Sequence, residues 1–93
     1  MSDESLRIRG EEAKQLLDNK MFKDAFAAVG DYIEQQAMAC PPDDKERCAR
    51  IIISKQLLQA VQREIYRHID EGVMAEIRLS ELEKKKRLMS FMR

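Results

Sequence analysis

The sequence predicts an all-α protein, and its composition supports that class. Charged residues make up 37% of the 93 residues and aromatic residues only 5%, with no Trp. Such a composition, rich in Ala, Leu, Glu, Lys, Gln and Arg, is typical of helical proteins. Three glycines and two prolines are too few for the many turns of an all-β fold.

The longest uninterrupted helical signal lies in residues 43–72. Pro41 and Pro42 precede it, where their missing N–H groups break no helical hydrogen bond. Asp43 and Asp44 can cap the first turn, and Gly72 can adopt the left-handed conformation that closes a helix. These signals predict a long third helix over about residues 43–71, more than twice the usual length.

Two shorter helices are expected before it. Residues 1–9 are predicted to form a flexible arm, because charged and polar residues flank Leu6 and Ile8. A short first helix should follow Gly10 and end near Asn19. The second helix should span residues 21–39, where one apolar face is formed at intervals of three and four by Phe22, Ala25, Phe26, Val29, Ile33 and Ala37.

The connections complete a four-helix prediction in a single domain covering residues 1–93. Gly30, inside the second helix, indicates either the close approach of another backbone or a slight kink. The Pro41-Pro42 pair must turn the chain, so the second and third helices are expected to form a helical hairpin. A fourth helix is predicted after Gly72, in residues 73–93, from its helix-forming residues.

The apolar residues of the third helix exceed what one neighbour can cover. A heptad-like seam, which we interpret as a packing or oligomer surface, is formed by Ile51, Leu58, Val61, Ile65 and Ile69. Further apolar residues, Ile52, Ile53, Leu57 and Tyr66, lie on other faces. Such a helix usually contacts more than one neighbour. The second helix can be one of them, and the other is the fourth helix or a second copy of the chain.

The last part of the chain carries two candidate interaction features. From Arg78 to Arg93 there are six basic residues and two acidic ones, although the whole chain has a formal net charge of zero. Possible phosphate contacts come from the basic cluster Lys84, Lys85, Lys86 and Arg87. A docking tail over residues 88–93 is expected to use Leu88, Met89, Phe91 and Met92, because so apolar a segment is unusual unless it binds something.

We find no pattern of catalytic, cofactor-binding or metal-binding residues. His68 is the sole histidine, and no serine or cysteine has an acid–base partner at a recognisable spacing. Cys40 and Cys48 flank the Pro-Pro turn and are expected to remain thiols in a reducing cytoplasm. Neither a secretory signal nor a membrane span is expected, because the start is acidic and no apolar run is long enough.

Four short motifs occur within residues 13–72. They are Leu16-Leu17-Asp18, Phe22-Lys23-Asp24-Ala25-Phe26, the turn Cys40-Pro41-Pro42-Asp43-Asp44, and Leu57-Leu58 before Gly72. In these motifs the chain resembles small all-helical proteins of tailed bacteriophages. Proteins of this kind are typically encoded among the DNA-packaging and head-assembly genes. The resemblance implies a location in the host cytoplasm or in association with the virion.

These observations together favour a non-enzymatic, self-associating protein of a tailed phage that acts in head assembly or genome packaging through contacts with other proteins. One alternative is a nucleic-acid-binding accessory, such as a DNA-recognition subunit resembling a small terminase, that uses the basic cluster. Another alternative is a small inhibitor or regulator of a host enzyme.

Overall fold

The structure is a computed structural model that describes residues 2–92. Within them it contains no strand and three helices, α1 (Asp3–Asp18), α2 (Lys20–Ala39) and α3 (Lys45–Phe91), so the all-α class is confirmed. The predicted arm and tail end in Met1 and Arg93, which lie outside the described residues. The helices form two compact units. The terminal unit comprises the residues up to Gln15 and those from Ile65 onward, and the hairpin unit comprises Leu16–Glu64.

The fourth helix is wrong as a separate element, because α3 passes through Gly72 and continues for 47 residues to Phe91. Gly72 does not adopt a positive φ angle, so it is not a helix-closing residue. Glycine costs about 1 kcal/mol in a helix interior relative to Ala. Here that cost is offset by a packing contact that only glycine permits.

The predicted start of the first helix is also wrong. Residues 3–9 belong to α1, and Gly10 lies inside this helix. Ser2 caps the helix, because its hydroxyl oxygen accepts a hydrogen bond from the Ser5 N–H at 3.2 Å. Asp3 and Glu4 in the first turn stabilise the positive end of the helix dipole.

In the terminal unit, α1 and α3 touch through their backbones. A Cβ atom added to Gly10 would lie 2.8 Å from the Gly72 Cα atom, and one added to Gly72 would lie 2.8 Å from the Gly10 Cα atom. The Cβ position on Gly10 lies 3.1 Å from the His68 carbonyl oxygen, and the Cβ position on Gly72 lies 3.2 Å from the Leu6 carbonyl oxygen. Each glycine therefore points an α-hydrogen at a carbonyl of the other helix, a weak but favourable contact.

Small residues continue this contact on both helices. Ala13 and Ala75 each lie three residues after a contacting glycine, and both are buried. Near the start of α1, the Arg78 guanidinium donates from Nη2 to Asp3 Oδ1 at 2.9 Å. This hydrogen bond lowers the pKa of Asp3. Because Asp3 pairs with Arg78 and Gly10 with Gly72, α1 and this part of α3 are antiparallel.

In the hairpin unit, side-chain caps fix both helix starts. Asn19, predicted to end the first helix, caps α2 by accepting from the Phe22 N–H at 2.9 Å. Asp44 caps α3 by accepting from the Arg47 N–H at 3.2 Å, as predicted for this turn. The predicted helical hairpin around the two prolines is present, as contacts between α2 and α3 show.

The two helices of the hairpin are antiparallel and joined by polar side-chain contacts. Lys55 Nζ lies 2.7 Å from Glu34 Oε1, and Arg47 donates to the Gln36 side chain at 3.2 Å. Gly30 is not a site of backbone contact. A Cβ atom added there would lie 3.8 Å from Leu58 Cδ2, an ordinary van der Waals distance.

These distances predict opposite effects for the same substitution at different glycines. Gly10→Ala and Gly72→Ala should lower the free energy of unfolding by about 1–3 kcal/mol, because the added methyl group forces two backbones apart. Gly30→Ala should raise it by about 0.5–1 kcal/mol, because the methyl group fits and helix propensity improves. Urea denaturation followed by circular dichroism, at one protein concentration, measures all three. A Gly72→Ala variant as stable as Gly30→Ala would contradict the backbone contact.

Candidate functional site

Exposed apolar side chains are the main surface feature of both units. No large side chain among residues 2–92 is fully buried, and the buried hydrophobic residues, Ala13 and Ala75, both belong to the terminal unit. Large hydrophobic side chains are exposed along all three helices. Extended apolar exposure of this kind marks interaction surfaces, so the candidate functional site is a surface and not a cleft.

One face of α2 packs against α3. With about 100° of rotation per residue, Phe22, Phe26, Gly30 and Ile33 fall on one side of the helix. All four are half-buried. The rings of Phe22 and Phe26 lie with their centroids 5.7 Å apart. Contact between Gly30 and Leu58 identifies this side as the contact face of the hairpin.

The rest of α2 divides into a charged side and an uncharged side. All five charged residues of the helix lie on the charged side, which carries Lys20, Lys23, Asp24, Asp31 and Glu34. The uncharged side consists of Met21, Ala25, Ala28, Val29, Tyr32, Gln35 and Ala39. Every one of these is exposed.

A similar division exists on α3 within the hairpin unit. Ile51 and Leu58 are half-buried on the side that packs against α2. Ile53, Leu57 and Val61 follow one another at single-turn intervals on a neighbouring side, and 54%, 63% and 51% of their surfaces are exposed. No charged residue lies between them on that side, where Ala60 and Ser54 are the neighbours.

The two uncharged sides face the same direction. Viewed from the N-terminus of either helix, the uncharged side lies counterclockwise from the contact face. Because the two helices are antiparallel, this equal rotation places both uncharged sides on the same side of the hairpin. The salt bridge between Lys55 and Glu34 lies on the other side of the hairpin, as this geometry requires. We call the combined surface the uncharged face. It consists of Met21, Ala25, Ala28, Val29 and Tyr32 of α2 with Ile53, Leu57 and Val61 of α3.

The structure distributes the predicted seam over both units. Ile51, Leu58 and Val61 belong to the hairpin unit, and Ile65 and Ile69 to the terminal unit. Four of them are half-buried, whereas Val61 is exposed. Sequence reasoning placed Ile53 and Leu57 outside the seam. The segregation of all charges to one side of α2 was the signal that could have joined them to a surface.

The predicted tail and basic cluster lie in the last turns of α3 and beyond. Leu88, Met89 and Phe91 are helical, Met92 follows the helix, and all four are exposed, Phe91 at 90%. The basic cluster Lys84, Lys85, Lys86 and Arg87 is exposed and helical. Because four consecutive residues occupy a full turn, its charges surround α3 and form no single basic face.

Cys40 and Cys48 meet at the turn of the hairpin. Both thiols are half-buried. Their Sγ atoms donate weakly to the same acceptor, the Pro41 carbonyl oxygen, at 3.7 and 3.5 Å. A hydrogen bond with the Cys48 thiol, with a smaller effect of desolvation, raises the pKa of Cys40 from 9.0 to about 11. Cys40 is therefore a poor nucleophile at neutral pH.

The described residues contain no group of three or more His, Cys, Asp or Glu side chains that could hold a metal ion. None of the helices among residues 2–92 is both long and apolar enough to cross a membrane. No protein-family model, curated protein or solved structure matches the chain.

The high pKa of Cys40 predicts slow alkylation. At pH 8 its thiolate should be about 100-fold scarcer than that of an ordinary thiol of pKa 9.0, and its reaction with iodoacetamide should slow correspondingly. Cys48→Ala should lower the pKa of Cys40 and accelerate the reaction, because the hydrogen bond is lost. Peptide mapping by mass spectrometry measures the rate, with the urea-unfolded chain as control. Equal Cys40 rates in folded and unfolded protein would show that the two thiols do not interact.

Proposed function

We propose that this chain is a non-enzymatic, self-associating helical protein that acts through protein–protein contacts. The observation that carries the proposal is the lack of any fully buried large side chain in residues 2–92. Hydrophobic burial is the main force that offsets the loss of conformational entropy on folding. Residues 2–92 bury two alanines and leave their large apolar side chains half-buried or exposed, so association with other copies would add to the burial.

The biological setting of the proposal rests on the resemblance of residues 13–72 to small helical proteins of tailed bacteriophages. We propose on this basis that the protein acts in head assembly or genome packaging, in the host cytoplasm or bound to the virion. Proteins with such roles work by binding copies of themselves and other components. The exposed apolar residues of the hairpin unit and of the tail are suited to that kind of contact.

Self-association predicts a mass in solution of at least twice 10.9 kDa. Size-exclusion chromatography with light scattering, over a hundredfold range of protein concentration, measures that mass. Raising the salt concentration should preserve or strengthen the association, because apolar contacts, unlike ion pairs, are not screened by salt. A mass of 10.9 kDa at every concentration would refute the proposal.

A further inference from the structure

We infer that the uncharged face of the hairpin unit binds the same face of a second copy of this chain across a twofold axis. Four helices, α2 and the first part of α3 from each copy, then enclose a shared apolar core. The inference rests on the proposed self-association and names the surface that performs it. A twofold interface uses one patch on both copies, so that patch must be complementary to itself.

The charge distribution identifies a second copy as the occupant. Every charged residue of α2 lies on the side away from this face. A copy meeting a copy through this face brings no charge of α2 into the interface, so α2 contributes neither a like-charge pair nor a desolvated charge. The α2 part of this face offers no cation to the phosphates of a nucleic acid and no ion partner to a strongly charged protein.

The residue sizes on the face favour close packing of helices. On α2, the small Ala25 and Ala28 lie among the larger Val29 and Tyr32. On α3, the small Ala60 borders the face beside the larger Leu57. Helix ridges made of large residues can enter grooves above small residues of a facing helix, which permits axial distances of about 8–10 Å. Tyr32, exposed at 62%, buries a large apolar ring while its hydroxyl can remain at the edge.

Charged residues of α3 lie on the same side of the helix, beyond each end of the segment from Ile53 to Val61. Glu46 and Arg50 precede Ile53 on the same side of the helix, and Glu64 follows Val61. An apolar centre with a polar rim is the usual anatomy of a protein–protein interface. The α3 part of the face is thus limited along the helix axis, which favours a closed pair of hairpins over an unlimited array.

Two adjacent isoleucines provide a matched test. Ile53 lies on the uncharged face and Ile52 lies outside it, about 100° away around α3, and their exposed fractions are 54% and 57%. Ile53→Glu should reduce the mass to that of a monomer and raise the dissociation constant at least roughly 100-fold, because a carboxylate would be buried without a partner. Ile52→Glu should keep the mass of the natural protein. Sedimentation equilibrium measures both variants, and circular dichroism checks their helix content.

A second measurement needs no disruptive substitution. Ala28 lies on the uncharged face and its neighbour Ala27 does not, although both are exposed. In a chain with Cys40→Ser and Cys48→Ser, a thiol introduced by Ala28→Cys should react with a maleimide at least 10-fold more slowly when protein concentration exceeds the dissociation constant. The rate for Ala27→Cys should stay constant, because that position is outside the interface.

The possible results separate the two proposals. Protection of the Ala28→Cys thiol alone, with dissociation by Ile53→Glu alone, supports the face-to-face pair. An oligomer that survives Ile53→Glu and leaves the Ala28→Cys thiol fully reactive overturns the inference, while self-association through another surface stands. A natural protein that is monomeric at every concentration overturns both.

Discussion

Uncovered apolar surface is the constraint on which this structure depends. Three helices account for nearly all described residues, yet no large side chain is fully buried among them. Each helix contacts one neighbour within a unit and leaves further apolar residues exposed. Since an isolated long helix gains most of its stability from packing of an apolar face, the proposed self-association would give these helices a further neighbour. In the hairpin unit, the side of α2 that carries Met21, Val29 and Tyr32 bears no charge.

The terminal unit achieves its packing in a different way. Its closest contact joins two backbones at Gly10 and Gly72, with Ala13 and Ala75 beside them. Close approach of small residues gains van der Waals contacts without burying large side chains. It also explains why glycine, a poor helix former, is present inside two helices. The hairpin unit lacks such a backbone contact, because Gly30 meets only the end of the Leu58 side chain.

Local signals could be predicted from the sequence, whereas long-range contacts could not. The turn at Pro41-Pro42 and the cap at Asp44 follow from backbone geometry over a few residues, and both are confirmed. Gly72 was misread as a helix end, because its role depends on Gly10, which is distant in sequence. Ile53 and Leu57 were placed outside the seam on other faces of the third helix, because the orientation of the hairpin is needed to align them with Met21 and Tyr32 of α2.

The concentration dependence of thermal unfolding tests the central claim most directly. If folding requires a second copy, the midpoint temperature must rise with protein concentration by mass action. For a dimer of two 93-residue chains the expected rise is about 3–4 °C for each tenfold increase. A midpoint that does not change over a hundredfold range of concentration would show that each chain folds without a partner and would contradict the account.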